Sequence, residues 1–232
     1  MSAPSTPRAN QLLGSLPAPD YRRLLPHLQA TNLVDNESLY QPSEPKEFAF
    51  FPIDSIVKVS YHVGNGVAAE AWRVGKEGMI GVPLLLDSVD EHSRADVGSG
   101  GLAFRLSASV LLTEFRRARA LQRLLLRYLF ALLTQTSQLR VCHQHHSIEQ
   151  RLCDFLSHHF DQAKDNAVFV TQERIGMLLD VRRETITEIA LRLQRAGIIE
   201  YFRGQVTLIN RKSLEKRACA CGTIISRAFR TV

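Results

Sequence analysis

The chain has 232 residues, 45% of them apolar and 22% charged, with a formal net charge of +6 and a pI near 9.4. That is enough apolar material for one large domain or two modest ones with a packed core, and it excludes a disordered or fibrous chain. The basic balance favours a polyanionic partner and is uneven: residues 1–146 hold 15 Lys and Arg against 13 Asp and Glu, net +2, whereas residues 147–232 hold 14 against 10, net +4.

Residues 1–10 are rich in Ser, Pro and Ala and read as a disordered start. The opening MSAPSTPRANQ is polar, with no apolar segment of a secretory signal behind it. Leu12, Leu13 and Leu16, then Tyr21, Leu24, Leu25 and Leu28, mark short helices, with Pro19 in a first turn and Pro26 at an end. From about residue 31 to 107 the period changes to two. Leu33, Leu39–Tyr40, Phe48–Phe51, Ile56–Tyr61, Val67–Trp72 and Leu102–Leu106 read as strands, with Asn65-Gly66 a hairpin turn. Short strands at regular spacing predict a small barrel or jelly roll.

Residues 107–140 turn helical. Leu121, Leu125, Tyr128, Leu132, Gln135, Leu139, Cys142 and His146 follow alternating steps of four and three, the seam of a coiled coil. A second stripe holds Leu124, Leu129 and Leu133. One side of this long helix is expected to pack on the barrel and the other on a twin helix, with Leu121, Leu125, Tyr128, Leu132 and Leu139 as the dimer seam; the alternative is burial within a monomer. The apolar stretch Leu124–Leu133 is too short to cross a membrane and is interrupted by Arg127. Arg116, Arg117, Arg119, Arg123 and Arg127 read as solvated surface.

Beyond His146 the order is helix, helix, turn, helix, strand, strand. Ile148, Leu152, Phe155, Leu156 and Phe160 mark one helix. Thr171 caps the next, with Ile175, Leu178 and Leu179 inward and a turn at Asp180-Val181. The following helix runs from Arg182 to Ala196, with Ile186, Ile189, Ala190 and Leu193 inward and Gly197 as its stop. Residues 199–202 and 206–209 form a two-stranded wing around Arg203-Gly204-Gln205.

A helix-turn-helix presents the start of its second helix to the major groove, where Arg forks onto guanine and Glu accepts from cytosine. Arg182, Arg183, Glu184, Thr187 and Glu188 stand in that position and are the candidate base-reading set. Thr171 and Gln172, at a helix N-terminus, and Arg203, at the wing tip, are placed for the DNA backbone. Against the DNA reading stands a plain solvated helix start.

The segment TQERIGMLLDVRRETITEIALRLQRAGIIEYFRGQVTLI, within residues 147–218, resembles the DNA-binding domain of the cyclic-AMP receptor protein/fumarate-nitrate regulator (Crp/Fnr) superfamily of bacterial transcription regulators. The resemblance implies a sensory β-roll, a dimerisation helix, a homodimer on an inverted-repeat operator, and contact with RNA polymerase. Three positions depart from the family pattern. Glu188 stands where an Arg is common, Asp180 where Gly or Asn is usual, and Gly176 where Ala is usual, at a propensity cost of about 1 kcal/mol.

In that family a Gly-Glu holds the ribose of a cyclic nucleotide and an Arg holds its phosphate. Here Gly81 is followed by Val82 and Pro83, and Ser93 and Arg94 stand near the Arg position but out of step. Gly81, Val82, Ser93 and Arg94 are therefore a candidate effector pocket that is expected to be degenerate, and a cyclic nucleotide is not expected as cofactor. The four cysteines, Cys142, Cys153, Cys219 and Cys221, lack the spacing of a disulfide framework and read as free thiols in a reducing cytoplasm. An iron-sulfur cluster needs about four thiolates held together, and the resemblance implies an N-terminal Cys cluster for one; none of the cysteines precedes residue 142, so no iron-sulfur cluster is expected. Cys142, His143, His145, His146 and Cys153 lie close in sequence, and His and Cys can ligate zinc or iron, but no Cys-x-x-Cys occurs and Cys219-x-Cys221 has only one intervening residue, so no metal site is expected.

The fold class expected is α+β: residues 1–108 as N-terminal helices and a jelly-roll, cyclic-nucleotide-binding-like sensor, 109–146 as a dimerisation helix and hinge, and 147–232 as a winged helix-turn-helix. The function expected is a homodimeric regulator binding double-stranded DNA, not an enzyme and without a membrane partner. The alternative is a ligand-binding module that controls a protein partner.

Overall fold

The computed structural model describes residues 6–62, 68–86, 91–162, 165–179, 181–230 and 232. It divides into two compact units, one of Met1–Thr136 with Ala228–Val232, the other of Ser137–Arg227.

The first unit opens with α1 (Gln11–Gly14) and α2 (Ala18–Leu24), whose Leu12, Leu13, Tyr21 and Leu24 are buried. The fully buried Asn10 locks this segment down. Its Oδ1 accepts from the Leu13 amide at 3.3 Å, and its Nδ2 donates to the carbonyls of Pro52 and Gly78, each at 2.9 Å. Seven strands follow: β1 (Gln29–Leu33), β2 (Ser38–Tyr40), β3 (Phe48–Pro52), β4 (Ile56–His62), β5 (Ala68–Val74), β6 (Ser93–Ser99) and β7 (Gly101–Ser107). They form two antiparallel sheets, in the orders β1-β7-β3 and β2-β6-β4-β5. The roll expected from the period-two pattern is thus present. Its β6 escaped the sequence reading because its inward residues, Ser93, Ala95 and Val97, are small or polar and weakly contrasted with their neighbours. The Asn65-Gly66 turn lies outside the described residues; the flanking β4 and β5 pair from Val57 opposite Val74 to His62 opposite Ala68.

The long helix differs from expectation in two ways. It is two helices, α3 (Ala108–Arg117) and α4 (Arg119–His145), separated by a buried, extended Ala118. Leu111 and Leu121 both enter the same core, and a straight helix would set residues ten apart roughly 80° out of line. The break removes that conflict. At the end of α3, Glu114 is held by Arg23 of α2 at 2.8 Å.

The second difference concerns the dimer seam. Leu121, Leu125, Tyr128 and Leu132 are buried in the chain's own core, and Leu139 is half-buried. Tyr128 is pinned there, donating to the Met79 carbonyl at 3.0 Å and accepting from the Met79 amide at 3.2 Å. Burial pushes its phenol above the ordinary value. A Cβ on Gly78 would come within 2.4 Å of that hydroxyl, so only glycine fits there. The apolar stripe left exposed on α4 is instead Leu126, Phe130 and Leu133, which are 51%, 69% and 64% exposed. Of the second stripe expected from the sequence, Leu124 is buried and Leu129 half-buried, so only its Leu133 belongs to the exposed face.

In the second unit, α5 (Ile148–Gln162) leads to β8 (Ala167–Phe169), α6 (Gln172–Leu179), α7 (Arg183–Arg195), β9 (Ile199–Phe202), β10 (Gln205–Leu208), α8 (Arg211–Arg217) and the start of α9 (Cys221–Arg230). Leu152, Leu156 and Phe160 of α5 share one core with Ile175, Leu179, Ile186, Ile189, Leu193, Val206 and Leu208. The wing has three strands, in the order β8-β10-β9, rather than the two expected. At three residues, β8 is too short to carry a period. Asp180 lies outside the described residues. The stop at Gly197 is a Schellman motif: its φ is +65°, Ile198 N donates to the Leu193 carbonyl at 3.0 Å, and Gly197 N to Gln194 at 2.9 Å. Arg151 of α5, buried, donates to the Leu179 carbonyl at the end of α6, where a cation suits the helix dipole. No described helix is long and apolar enough to cross a membrane.

Candidate nucleic-acid interface

Why α6 and α7 hold a fixed crossing can be read from two residues. Thr187 Oγ1 donates to Gln172 Oε1 at 2.7 Å, and also reaches the Arg183 carbonyl at 3.0 Å. Gly176 is buried where the turn returns over α6: Val181 N donates to its carbonyl at 2.9 Å, and a Cβ on Gly176 would meet the Val181 carbonyl oxygen at 2.8 Å. The glycine is there for close approach of backbone, which outweighs its propensity cost.

On that rigid pair the start of α7 is open. Arg182 occupies the N-cap position without a capping side-chain bond, and Arg182, Arg183, Glu184 and Glu188 are all exposed. Glu184 and Glu188 stand one turn apart on the same face. Thr187 is only half-exposed and is engaged with Gln172, so within the candidate set it holds the helices together.

Thr171, Gln172, Glu173, Arg183, Tyr201, Arg203 and Gly204 surround one open cleft of about 360 Å³. Thr171 caps α6, its Oγ1 accepting from the Arg174 amide at 3.1 Å. Arg203 and Gly204 form the two-residue turn between β9 and β10, with φ of +46° and +82°, the pair of positive values that suits the twist of a hairpin. The Arg203 guanidinium lies 5.2 Å from the Phe202 ring. Two arginines therefore flank the positive end of a helix in one concavity, the electrostatics that suit a phosphate. Tyr201 was not anticipated. Its hydroxyl donates to the Val170 carbonyl at 2.6 Å and ties the wing to the approach of α6; the aromatic before Arg203 was the available signal.

The candidate effector residues separate. Gly81, Val82 and Ser93 line a cavity in the roll with Tyr40, Val59, Trp72 and Met79. Arg94 does not line it: on β6 Ser93 and Ala95 face the core, Arg94 faces away, and its guanidinium pairs with Asp96 at 2.5 Å. Period two decides this, since neighbours on a strand point to opposite faces. The cavity holds about 50 Å³, room for a few waters and well under the roughly 300 Å³ at which small-molecule pockets begin.

The thiols are rearranged as well. Cys153 lies in the core of the second unit, where burial pushes its thiol up to about 12. His143 turns to Arg151, at 3.0 Å. Cys142 and His146, one turn apart, are instead met by Cys219 and Cys221, and one ligand atom from each of the four lies within 4.8 Å of the others. The spacing of the cysteines does not foretell this, since neither pair forms a Cys-x-x-Cys; the fold within Ser137–Arg227 brings them together.

Residues 150–217 match the family model of the Crp-like helix-turn-helix domain. No match was found among curated proteins. Similar solved structures include a putative transcriptional regulator of the Crp/Fnr family from Eubacterium rectale, 14% identical with a TM-score of 0.69 over 90% of this chain and 98% of that one. FixK2 from Bradyrhizobium japonicum is 18% identical, with a TM-score of 0.70 over 83% of this chain and 98% of its own. The c-di-GMP responsive global regulator CLP of Xanthomonas campestris is 15% identical, with a TM-score of 0.67 over 84% of this chain and all of its own. The chain thus carries a Crp-like helix-turn-helix domain on the fold of the Crp/Fnr regulator structures.

Proposed function

We propose that the protein is a sequence-specific transcription regulator that binds an inverted-repeat operator as a homodimer. Residues 1–108 serve as sensor, 109–146 as dimerisation segment and 147–232 as DNA reader. The observation that carries this reading is the joint geometry of α7 and the cleft beside it. Exposed Arg182, Arg183, Glu184 and Glu188 stand where base edges would be read, while Thr171, Gln172 and Arg203 gather where a phosphate would lie. The dimer is supported by the exposed Leu126, Phe130 and Leu133, whose steps of four and three suit pairing with the same stripe of a second copy. Contact with RNA polymerase is carried by the family likeness. The sensor works without a cyclic nucleotide, a reading supported by the small, largely apolar cavity and the outward-facing Arg94. A reducing cytoplasm is the setting that suits its free thiols.

The test begins with selection of bound duplexes from a random DNA pool at physiological salt. The result expected is an inverted repeat with half-sites about one helical turn apart. On the selected site, Arg183→Ala lowers affinity by about 1–3 kcal/mol and relaxes preference at one base pair per half-site. Equal loss on selected and random DNA, measured by fluorescence anisotropy, would remove Arg183 from base reading.

A further inference from the structure

Four soft ligand atoms meet in the second unit at a place the DNA reading does not use. Cys142 lies in the last turn of α4 and His146 follows it, with His146 N still donating to the Cys142 carbonyl at 3.0 Å, so both side chains leave one face. Cys219 and Cys221 flank the junction between α8 and α9, 77 residues beyond Cys142 in the case of Cys219. Cys142 Sγ and Cys219 Sγ are 3.6 Å apart, Cys221 Sγ and His146 Nδ1 are 3.4 Å apart, and all four atoms lie within 4.8 Å of one another. A tetrahedral zinc ion with Zn–S of about 2.3 Å and Zn–N of about 2.0 Å has ligand-to-ligand edges of roughly 3.5–3.8 Å. The contraction needed is therefore small. The three thiols are buried and the imidazole is half-buried.

We propose that Cys142, His146, Cys219 and Cys221 bind a single divalent zinc-class ion in a closed, four-coordinate site. Thiolate and imidazole select zinc over magnesium or calcium, which take oxygen ligands. A set of three Cys and one His fills the coordination sphere, as in structural rather than catalytic zinc sites. On binding, the three thiols lose their protons to solvent, the imidazole coordinates neutral through Nδ1, and the complex carries one net negative charge. Outer support is in place: Gln138 Nε2 donates to Cys221 Sγ at 3.1 Å, and Asp154 Oδ2 accepts from the Gly222 amide at 2.9 Å, fixing the chain beside Cys221. A multi-iron cluster would place its thiolates on different irons and spread them further apart than they stand here. The ion would clamp the segment before α5 to the segment after α8, closing the loop that contains the winged helix-turn-helix. Metal binding at these atoms does not depend on what α7 contacts.

The experiment uses the full chain, purified reduced and metal-free, with Co²⁺ as the probe. One equivalent should produce visible d–d bands of a tetrahedral ion and a near-ultraviolet thiolate charge-transfer band, both bleached by one equivalent of Zn²⁺. In competition with a chromophoric chelator, Cys221→Ser should weaken binding by more than about 100-fold and Gln138→Ala by about 10–100-fold. His145→Ala, a neighbouring exposed imidazole outside the set, should leave affinity unchanged. Absence of the charge-transfer band in the unsubstituted protein, an octahedral spectrum, more than one iron per chain on reconstitution, or full affinity in Cys221→Ser would each overturn the proposal. Because the unsubstituted protein decides the first three of these, a variant that fails to fold does not protect it.

Discussion

At Gly176, two rules of thumb give opposite signs. Replacing a helical glycine with alanine ordinarily gains about 1 kcal/mol of propensity. Here the added Cβ would stand 2.8 Å from the Val181 carbonyl oxygen, which belongs to backbone and cannot swing aside. Gly176→Ala should therefore lower stability by about 1–3 kcal/mol, the usual cost of overpacking, and urea unfolding followed by far-UV circular dichroism reads it directly. An increase in the midpoint would show that the turn relaxes. Thr187 teaches the same lesson. Its position on α7 suggested contact with bases, but its hydroxyl is used on Gln172 of α6. Arg94 was near the right place in sequence for a phosphate ligand, and the alternation of β6 turned it outward. Residue types and spacing named these candidates, and the partner across the helix pair or the phase of the strand assigned their roles.

At the scale of elements, α4 is the instructive case. Its heptad of Leu121, Leu125, Tyr128 and Leu132 was plain in the sequence, yet those side chains fill the chain's own core. Substituting a charge there would unfold the roll and say nothing about association. Leu126, Phe130 and Leu133 can be changed without opening that core. Phe130→Glu should yield a folded protein in which the proposed dimer is weakened by about 2 kcal/mol or more, the scale of an interface hot spot. Sedimentation velocity and far-UV circular dichroism on the same sample distinguish this from unfolding. An unchanged dimer would place the seam elsewhere. The helix-turn-helix is the part best foretold: the cap at Thr171, Ile175 and Leu179 of α6, the inward face of α7 and the stop at Gly197 stand where the sequence puts them, whereas Leu178 is only half-buried. Each of those signals is local, a cap, a period or a glycine within a few residues of the structure it makes. The short strands β6 and β8 were missed because small residues or three-residue length leave no period to detect.

For the whole molecule, the proposed function makes phosphate contact by the two arginines at the cleft, on a chain of net charge +6, a salt-dependent contribution to DNA binding. The proposed dimer would carry two wing tips. Arg203→Ala should weaken binding by a similar factor on selected and random DNA, and flatten the plot of log affinity against log salt by about one unit per wing. A loss confined to the selected sequence would make Arg203 a base reader instead.

By itself the sequence determined the roll-then-helix-then-winged-domain plan and the basic start of α7, because each rests on periodicity, capping or turn chemistry acting over a few residues. Only the tertiary structure decided which stripe of α4 stays exposed, which residues of β6 face the cavity, and that Cys219 and Cys221 join Cys142 and His146. Those outcomes depend on contacts between segments distant in the chain, 77 residues for Cys142 and Cys219, and no local spacing records them.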